Sequence, residues 1–200
     1  ARALKLATSE IVNAWVRKLE SVMHLASVTN ADGHEIGLSH GVAIVMQMIK
    51  QAQNRHRRFY FIGNGGSSAI AGHMAEDFTK NGCMKSLTFN DPALLTCYAN
   101  DYGWGDAYRQ MVSDHVVPED VVVCISSSGN SESIVKAAAM ASALGALVIT
   151  FSGFSPDNQL RRQGQTNFYV PSMQYGFVET AHAAILHMIL DLHMGWVGQP

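Results

Sequence analysis

The sequence predicts an α/β fold in which helices flank both faces of a doubly wound, parallel sheet. Short apolar runs, such as residues 121–125, alternate along the chain with longer stretches whose apolar residues recur at helical spacing. That alternation is typical of strands that are joined by crossover helices and covered on both faces. Two of the runs lead directly into loops rich in glycine and serine, at 63–68 and 126–133. In folds of this kind, ligands bind at such strand ends.

The first 56 residues predict a helical hairpin. Apolar residues fall at helical spacing over 7–28 and 35–54, and the segment 29–33 breaks the pattern. Two helices ahead of the first strand cannot both bury their apolar faces on a small sheet. We therefore expect one domain, residues 1–200, in which residues 1–56 take part in oligomer packing and residues 57–200 form the α/β core that carries both loops.

The remaining elements follow from composition and periodicity. Apolar runs rich in β-branched and aromatic residues predict strands at 59–62, 85–89, 121–125, 146–151 and 167–170. Stretches rich in helix formers predict helices at 69–78, 94–100, 106–117, 134–144, 158–164 and 177–196. The polar, aromatic segment at 100–104 predicts a turn between two of these helices.

The composition is that of a globular protein, with 48% apolar residues, 15% charged residues and a net charge of −2. The basic cluster at 55–58 is interpreted as a solvated helix end that complements the helix dipole, so we expect no nucleic-acid partner. Three cysteines without CxxC spacing indicate a reducing compartment. No secretory signal pattern and no run of about 18 apolar residues is visible, so we expect a cytoplasmic protein with no membrane segment.

The glycine turn at 63–68 is the first candidate binding element. Three glycines and two serines stand between an apolar run and a helix pattern, where backbone N–H groups and the helix dipole favour an anion. A tight turn without a ligand is the alternative. No dinucleotide fingerprint or P-loop is present, so no nucleotide cofactor is expected. One turn further on, His73, Glu76 and Asp77 share a helix face.

The serine-rich loop at 126–133 is the second candidate binding element. Hydroxyls and backbone amides at a helix N-terminus bind phosphate without any charged side chain. An N-cap or a serine turn, which is the alternative, needs only one of these serines. Three consecutive serines, with a fourth at Ser131, exceed that need and favour phosphate binding.

These two loops, the segment 100–103 and the pattern Glu179…His182…His187 together resemble the sugar isomerase (SIS) domain family, and within it the phosphoheptose isomerases. The resemblance implies a flavodoxin-like three-layer sandwich and a cytoplasmic homotetramer with active sites between subunits. It implies isomerisation of sedoheptulose 7-phosphate to D-glycero-D-manno-heptose 7-phosphate through an enediol or enediolate.

The resemblance also assigns roles to residues. It implies that Asp77 and His187 form the acid–base pair. It implies one zinc ion per active site, held by His73, Asp77, Glu179 and His187. The implied sugar-phosphate-binding residues are Asn64, Gly65, Gly66, Ser67, Asn100, Asp101, Ser126, Ser127, Ser128, Ser131 and Glu179.

The chain departs from the family pattern at four positions. Asp77 replaces a glutamate, Glu179 a glutamine, Gly176 an aspartate and Asn81 an arginine. A non-catalytic module that binds a sugar phosphate or a protein, and an isomerase of another sugar phosphate, therefore stay open as alternatives. Glu76 is an alternative base.

The spacing within the last helix pattern limits the metal ligands. Glu179 and His187 lie about 12 Å apart along a helix, so they share a metal only if Glu179 precedes the regular helix or comes from another subunit. His182 is interpreted as a core residue, with a supporting role behind the site as the alternative.

Overall fold

A computed structural model describes residues 2–196, with side chains from residue 8 onward. Its centre is a six-stranded sheet in the order β1-β6-β5-β4-β2-β3. The strands are β1 Ser27–Asn30, β2 Arg58–Gly63, β3 Lys85–Thr88, β4 Val121–Ser126, β5 Leu147–Ser152 and β6 Thr166–Tyr169. All neighbouring pairs are parallel except β1 with β6, which is antiparallel. The predicted α/β fold with a doubly wound sheet is confirmed.

Helices cover both faces of this sheet. They are α1 Arg2–His24, α2 Leu38–Asn54, α3 Gly66–Lys80, α4 Pro92–Tyr102, α5 Trp104–His115, α6 Glu132–Ala143 and α7 Tyr175–His193, with a 3-10 turn at Leu160–Arg162. Helices α2, α3 and α7 pack on one face, and α5 and α6 pack on the other. Over the part of the chain that the structure describes, no helix combines the length and apolar character needed to cross a bilayer.

Alternation along the central strands builds a separate core on each face. In β2, Phe59 and Phe61 face α2, α3 and α7, whereas Tyr60 and Ile62 face α5 and α6. These four side chains are at most 1% exposed. Successive side chains of a strand point to opposite faces, so a strand covered on both sides must be apolar throughout.

The N-terminal region differs from the expected pair of helices. Residues 27–30 were expected to end one helix and begin a break, but they form β1 at the edge of the sheet. Val28 is fully buried there, and α2 approaches it closely because a Cβ on Gly41 would lie 2.6 Å from the Val28 Cγ1 atom. Residues 1–56 therefore also contribute to the α/β core.

The chain between β3 and β4 also differs from expectation. A turn was predicted at 100–104, but α4 continues to Tyr102 and only Gly103, with a φ of 79°, separates it from α5. The start of α4 is fixed by Asp91, whose side chain accepts a hydrogen bond from the Leu94 backbone N–H at 2.9 Å.

The strand order places the candidate site. Strands β2 and β4 are parallel neighbours, and α3 and α6, which follow them, lie on opposite faces of the sheet. Chains that leave adjacent strands toward opposite faces open a crevice at the carboxyl ends of those strands. Both the glycine turn and the serine loop emerge into this crevice.

Candidate active site

A cavity of about 230 Å³ occupies the crevice between the glycine turn and the serine loop. Nine of the eleven sugar-phosphate-binding residues implied by the resemblance line it. The lining residues are Asn64, Gly65, Gly66, Ser67, Ile125, Ser126, Ser127, Ser128, Ser131, Tyr175 and Glu179. Ile125 and Tyr175 were not anticipated, because neither an apolar strand residue nor an isolated tyrosine carries a motif.

The glycine turn is held in place by its neighbours. The Tyr108 hydroxyl donates to the Gly63 carbonyl at 3.0 Å, and the Asn64 side-chain amide donates to the Ser133 hydroxyl at 3.0 Å. The second bond ties the two loops together. Gly65 has a φ of 53°, which glycine adopts without strain. A Cβ on Gly66 would lie 2.5 Å from a Glu179 carboxylate oxygen, so a larger residue here would displace that carboxylate.

Hydroxyl groups of the serine loop accept hydrogen bonds from backbone N–H groups of the same loop. The Ser126 Oγ accepts from the Gly129 N–H at 3.2 Å and lies 3.3 Å from the Ser131 Oγ. The Ser128 Oγ accepts from the Asn130 N–H at 3.2 Å. This arrangement leaves hydroxyl groups on the cavity wall, where they are available to a phosphate at the start of α6.

A buried asparagine supports the serine loop from behind. The Asn158 side-chain amide donates to the Ser152 Oγ at 3.2 Å and to the carbonyls of Gly153 and Ser155 at 3.3 and 2.8 Å. Gly129 has a φ of 65°, and a Cβ there would lie 2.0 Å from the Asn158 Oδ1 atom. The Leu160 N–H also donates to the Gly129 carbonyl at 2.9 Å. Sequence reasoning missed Asn158, because a lone asparagine gives no signal.

A histidine–carboxylate cluster lies where α3 packs against α7. The Asp77 Oδ2 is 3.4 Å from the His73 Nε2 and 3.7 Å from the His187 Nδ1. One ligand atom from each of the three residues lies within 4.8 Å of the others. The Asn81 side-chain amide donates to the other carboxylate oxygen of Asp77 at 3.2 Å. That bond turns the Oδ2 atom toward both imidazoles.

The cluster has the donor set of a metal site. Two imidazole nitrogens and one carboxylate oxygen are ligands that zinc prefers, and three protein ligands leave a coordination position free for substrate or water. His73 and His187 have half-exposed side chains, whereas that of Asp77 is 18% exposed. A metal ion here would therefore be reachable by a small molecule.

Comparison with known proteins identifies the family. Residues 35–153, more than half of the chain, match the SIS domain family. The phosphoheptose isomerase of Mycobacterium bovis is 33% identical over 145 residues, which cover 67% of this chain and 71% of that protein. The chain belongs to the SIS domain family, and within it to the phosphoheptose isomerases.

Other relatives extend the match along the chain. The phosphoheptose isomerase of Geotalea daltonii is 28% identical over 184 residues, which cover 88% of this chain and 94% of that protein. The solved structure of a phosphoheptose isomerase from Francisella tularensis superposes with a TM-score of 0.79 at 19% identity. That match covers 94% of this chain and 98% of the other, so the fold is shared over nearly its whole length.

In this SIS domain, Glu179 lies in the cavity and outside the histidine–carboxylate cluster. It is part of regular α7, two turns before His187, and its Oε1 atom is 3.5 Å from the Ser127 Oγ. The condition for sharing a metal with His187 is therefore not met within one chain. Among the residues that the structure describes, Glu179 is also the only formally charged side chain in the cavity lining, and none of the lining residues is a lysine or arginine.

Two further implied residues do not reach the cavity of this SIS domain. Asn100 and Asp101 lie near the end of α4, are exposed, and are joined to each other by a 2.9 Å hydrogen bond. Glu76 is exposed and does not join the cluster, so Asp77 is the carboxylate that faces the histidines.

His182 is a core residue of this SIS domain. It is fully buried, with its Nε2 atom 3.0 Å from the Ser152 carbonyl oxygen. Burial lowers the pKa of His182 to about 4. The imidazole is therefore neutral at physiological pH and donates a hydrogen bond from its Nε2 to that carbonyl.

Proposed function

We propose that this protein is a phosphoheptose isomerase that converts sedoheptulose 7-phosphate to D-glycero-D-manno-heptose 7-phosphate. Membership of that family supports the reaction. The observation that carries the proposal is the placement of the His73–Asp77–His187 cluster, which includes two residues of the helix that begins at the glycine turn and His187 from α7. Gly66 and His73 are about 10 Å apart along α3. That spacing suits a sugar whose phosphate and carbonyl lie at opposite ends.

The phosphate end of the substrate would bind the serine loop. The hydroxyls of Ser126, Ser128 and Ser131, with the backbone amides at the start of α6, can donate hydrogen bonds to its oxygens. Glu179 lines the same cavity, and its carboxylate can accept hydrogen bonds from sugar hydroxyls. Together these donors and the Glu179 acceptor would hold a phosphorylated sugar without a cationic side chain from the described residues of the lining.

The carbonyl end would meet the acid–base pair. Asp77 removes a proton from C1 of the ketose, and the electrons of that C–H bond form the C1–C2 double bond of the enediol. His187 gives a proton to the C2 oxygen as the carbonyl bond opens. The proton held by Asp77, or a solvent hydrogen that has exchanged with it, then goes to C2, and His187 takes the C1 hydroxyl proton as the aldehyde forms. The net reaction is a redistribution of hydrogen that needs no oxidant or reductant.

Zinc fits the same cluster, and we include it in the proposal. His73, Asp77 and His187 would hold the ion, because their nitrogen and oxygen atoms already converge. A bound zinc ion would stabilise the negative charge that develops on the substrate oxygens. Glu179 is not needed as a ligand from the same chain.

The test is product formation from sedoheptulose 7-phosphate in D2O, followed by NMR of the aldose. The wild type should produce the aldose with deuterium at C2, because the proton on the base exchanges with solvent. The D77N variant should lose about 10²–10⁴-fold in rate, the range that a positioned acid or base contributes. E76Q, one residue away and exposed, is the matched control and should retain the rate. Failure of the wild type to form any aldose or to incorporate deuterium counts against the proposal.

A second candidate is a sugar-phosphate-binding module without catalysis. It is favoured by one observation, that the Glu179 carboxylate is the only formally charged group that the described part of the chain contributes to the cavity lining. Metal analysis of the purified protein separates the two candidates. The isomerase predicts close to one zinc ion per chain, and loss of that zinc in H187Q. Binding of sugar phosphate by a zinc-free wild type that forms no aldose would favour the binding module. An isomerase of another sugar phosphate would show turnover only with a different substrate.

We also propose a cytoplasmic homotetramer. The outer face of α1 carries apolar side chains that are 47–69% exposed in the single chain: Ile11, Val12, Trp15 and Val16. Such a face is typical of a surface that another subunit covers. Light scattering should give four chains per particle, and V12D should shift the mass downward. A wild-type mass of one chain would contradict the tetramer.

A further inference from the structure

A second cavity lies at the opposite end of the sheet from the candidate active site. It measures about 100 Å³ and is lined by Gln53, His56, Arg57, Cys83, Met84 and Lys85. We call it the amino-end pocket, because Arg57 immediately precedes β2 and Lys85 begins β3. The glycine turn follows the other end of β2, about 20 Å away at the usual rise of a six-residue strand. The two cavities are therefore separate sites.

The lining of the amino-end pocket is basic. His56, Arg57 and Lys85 contribute to it, and no acidic side chain does within the described range of the chain. The nearest acid bonded to this cluster is Glu119, which accepts from Arg57 at 3.0 Å and also from Arg55. The permanent positive charges of Arg55, Arg57 and Lys85 therefore face the single negative charge of Glu119. The ends of α2 and α3, which lie here, add only about half a negative charge each. The surroundings of the pocket stay net positive.

Arg57, which lines this pocket, has one donor without a partner. Its Nε atom is buried and makes no hydrogen bond within the part of the chain that the structure describes. A buried guanidinium N–H without an acceptor is costly, and such groups are normally satisfied. Because this atom is out of reach of solvent, an anion in the pocket would meet it only after the Arg57 side chain moves.

The backbone of the amino-end pocket is strained at two positions. His56 and Cys83 have φ values of 56° and 53° and follow the ends of α2 and α3. Glycine is the usual residue at such left-handed positions after a helix, because a Cβ is disfavoured there. Here both positions carry side chains that line the same pocket. Unfavourable backbone conformations of this kind concentrate at binding sites.

We propose that the amino-end pocket binds one phosphate-sized dianion, either free inorganic phosphate or the phosphate group of a phosphorylated metabolite. Its volume corresponds to about three water molecules at roughly 30 Å³ each, which suits a phosphate group. Pockets that enclose whole drug-sized ligands measure about 300–1,000 Å³, so any attached sugar or nucleoside would project into solvent. His56, Arg57 and Lys85 provide the hydrogen-bond donors. This site goes beyond the proposed isomerase activity and does not depend on it.

The exposed thiol of Cys83 reports on occupancy of the pocket. We would measure its rate of alkylation by neutral iodoacetamide, using peptide mass spectrometry, in sodium phosphate and in sodium chloride of equal ionic strength. Cys97 is also exposed but lies outside the pocket, so it serves as the internal control. Phosphate should suppress Cys83 alkylation in a saturable manner and leave the Cys97 rate unchanged. Equal Cys83 rates in phosphate and chloride would overturn the proposal.

Two substitutions test whether the basic residues hold the anion. K85Q and H56G should each raise the half-protecting phosphate concentration about tenfold, the effect of losing one strong hydrogen bond to an anion. H56G should fold at least as well as the wild type, because glycine adopts the positive φ freely. K80Q, a nearby charge removal outside the lining, should leave protection unchanged. Identical protection curves for the wild type, K85Q and H56G would refute the site.

A parallel titration with glucose 6-phosphate identifies the source of the phosphate group. Protection at similar concentrations by glucose 6-phosphate and inorganic phosphate supports a site for phosphorylated metabolites. Protection by inorganic phosphate alone supports a site for the free ion. Protection by neither contradicts the proposal.

Discussion

Replacement of Asn158 by alanine should both destabilise the fold and weaken sugar-phosphate binding. Asn158 is 1% exposed, and its amide shares two N–H groups among three acceptors while its oxygen accepts from the Arg161 N–H at 3.0 Å. Counted as three hydrogen bonds at about 1 kcal/mol each, their loss lowers the free energy of unfolding by about 3 kcal/mol. With a urea slope of about 2 kcal/mol/M, the midpoint falls by about 1.5 M. Because Gly129 rests on this side chain, KM should rise as well.

The assay is urea unfolding at fixed protein concentration, together with substrate kinetics. N158D should be no better than N158A, because its second carboxylate oxygen would face the Gly153 and Ser155 carbonyl oxygens in place of a donor. N54A, which changes an exposed asparagine at the end of α2, should match the wild type. An N158A midpoint within about 0.3 M of the wild type would refute the reasoning, since linear extrapolation resolves a shift of that size.

Three more predictions concern the cluster, the cavity and the core. N81A removes the hydrogen bond that orients the Asp77 carboxylate. The affinity of the cluster for zinc, measured by chelator competition, should fall about 10-fold, as loss of such supporting bonds typically causes. An unchanged zinc affinity would exclude this role for Asn81. G66A places a Cβ 2.5 Å from the Glu179 carboxylate and should weaken sugar-phosphate binding, measured by calorimetry. G176A is the control, because a Cβ there would meet no atom within 4 Å, and its affinity should match that of the wild type. Equal affinities of G66A and G176A would contradict the cavity assignment. Burial lowers the pKa of His182 from 6.5 to about 4. As the pH falls, the unfolded chain therefore binds a proton at this imidazole before the folded chain does. The free energy of unfolding should fall by about 3 kcal/mol between pH 6.5 and pH 4. The urea midpoint of H182Q should depend less on pH across that range than the midpoint of the wild type. The same pH dependence in both proteins would rule out His182 as the cause.

The sequence predicted most of the sheet because its central strands are apolar throughout. Residues 59–62 and 121–125 have no polar position to confuse the pattern, since both faces of each strand are covered. Strand β1 was missed for the opposite reason. It is four residues long, has Val28 as its only large apolar side chain, and directly follows a helical pattern. Its pairing with β6 depends on residues about 140 positions away, which local periodicity does not register.

Some features of the candidate site were likewise predictable from local sequence, whereas others depend on tertiary packing. Loop composition predicted the lining of the cavity, because glycines and serines at strand ends have a local reason to be there. The i, i+4 spacing predicted that His73 and Asp77 share a face. The arrival of His187 beside them depends on α3 packing against α7, and the displacement of Glu179 depends on α7 being regular from Tyr175 onward. For His187 only the family resemblance supplied an expectation, because the contact is tertiary. For Glu179 the helix spacing had already made a shared metal conditional on an irregular helix or another subunit.

The crystal structure of the D77N variant with sedoheptulose 7-phosphate would test the central claim most directly. We predict the phosphate within hydrogen-bond distance of the Ser126 and Ser131 hydroxyls, with C1 and C2 of the sugar beside position 77 and His187. A phosphate bound away from the serine loop, or a sugar whose C1 points away from the cluster, would contradict the account.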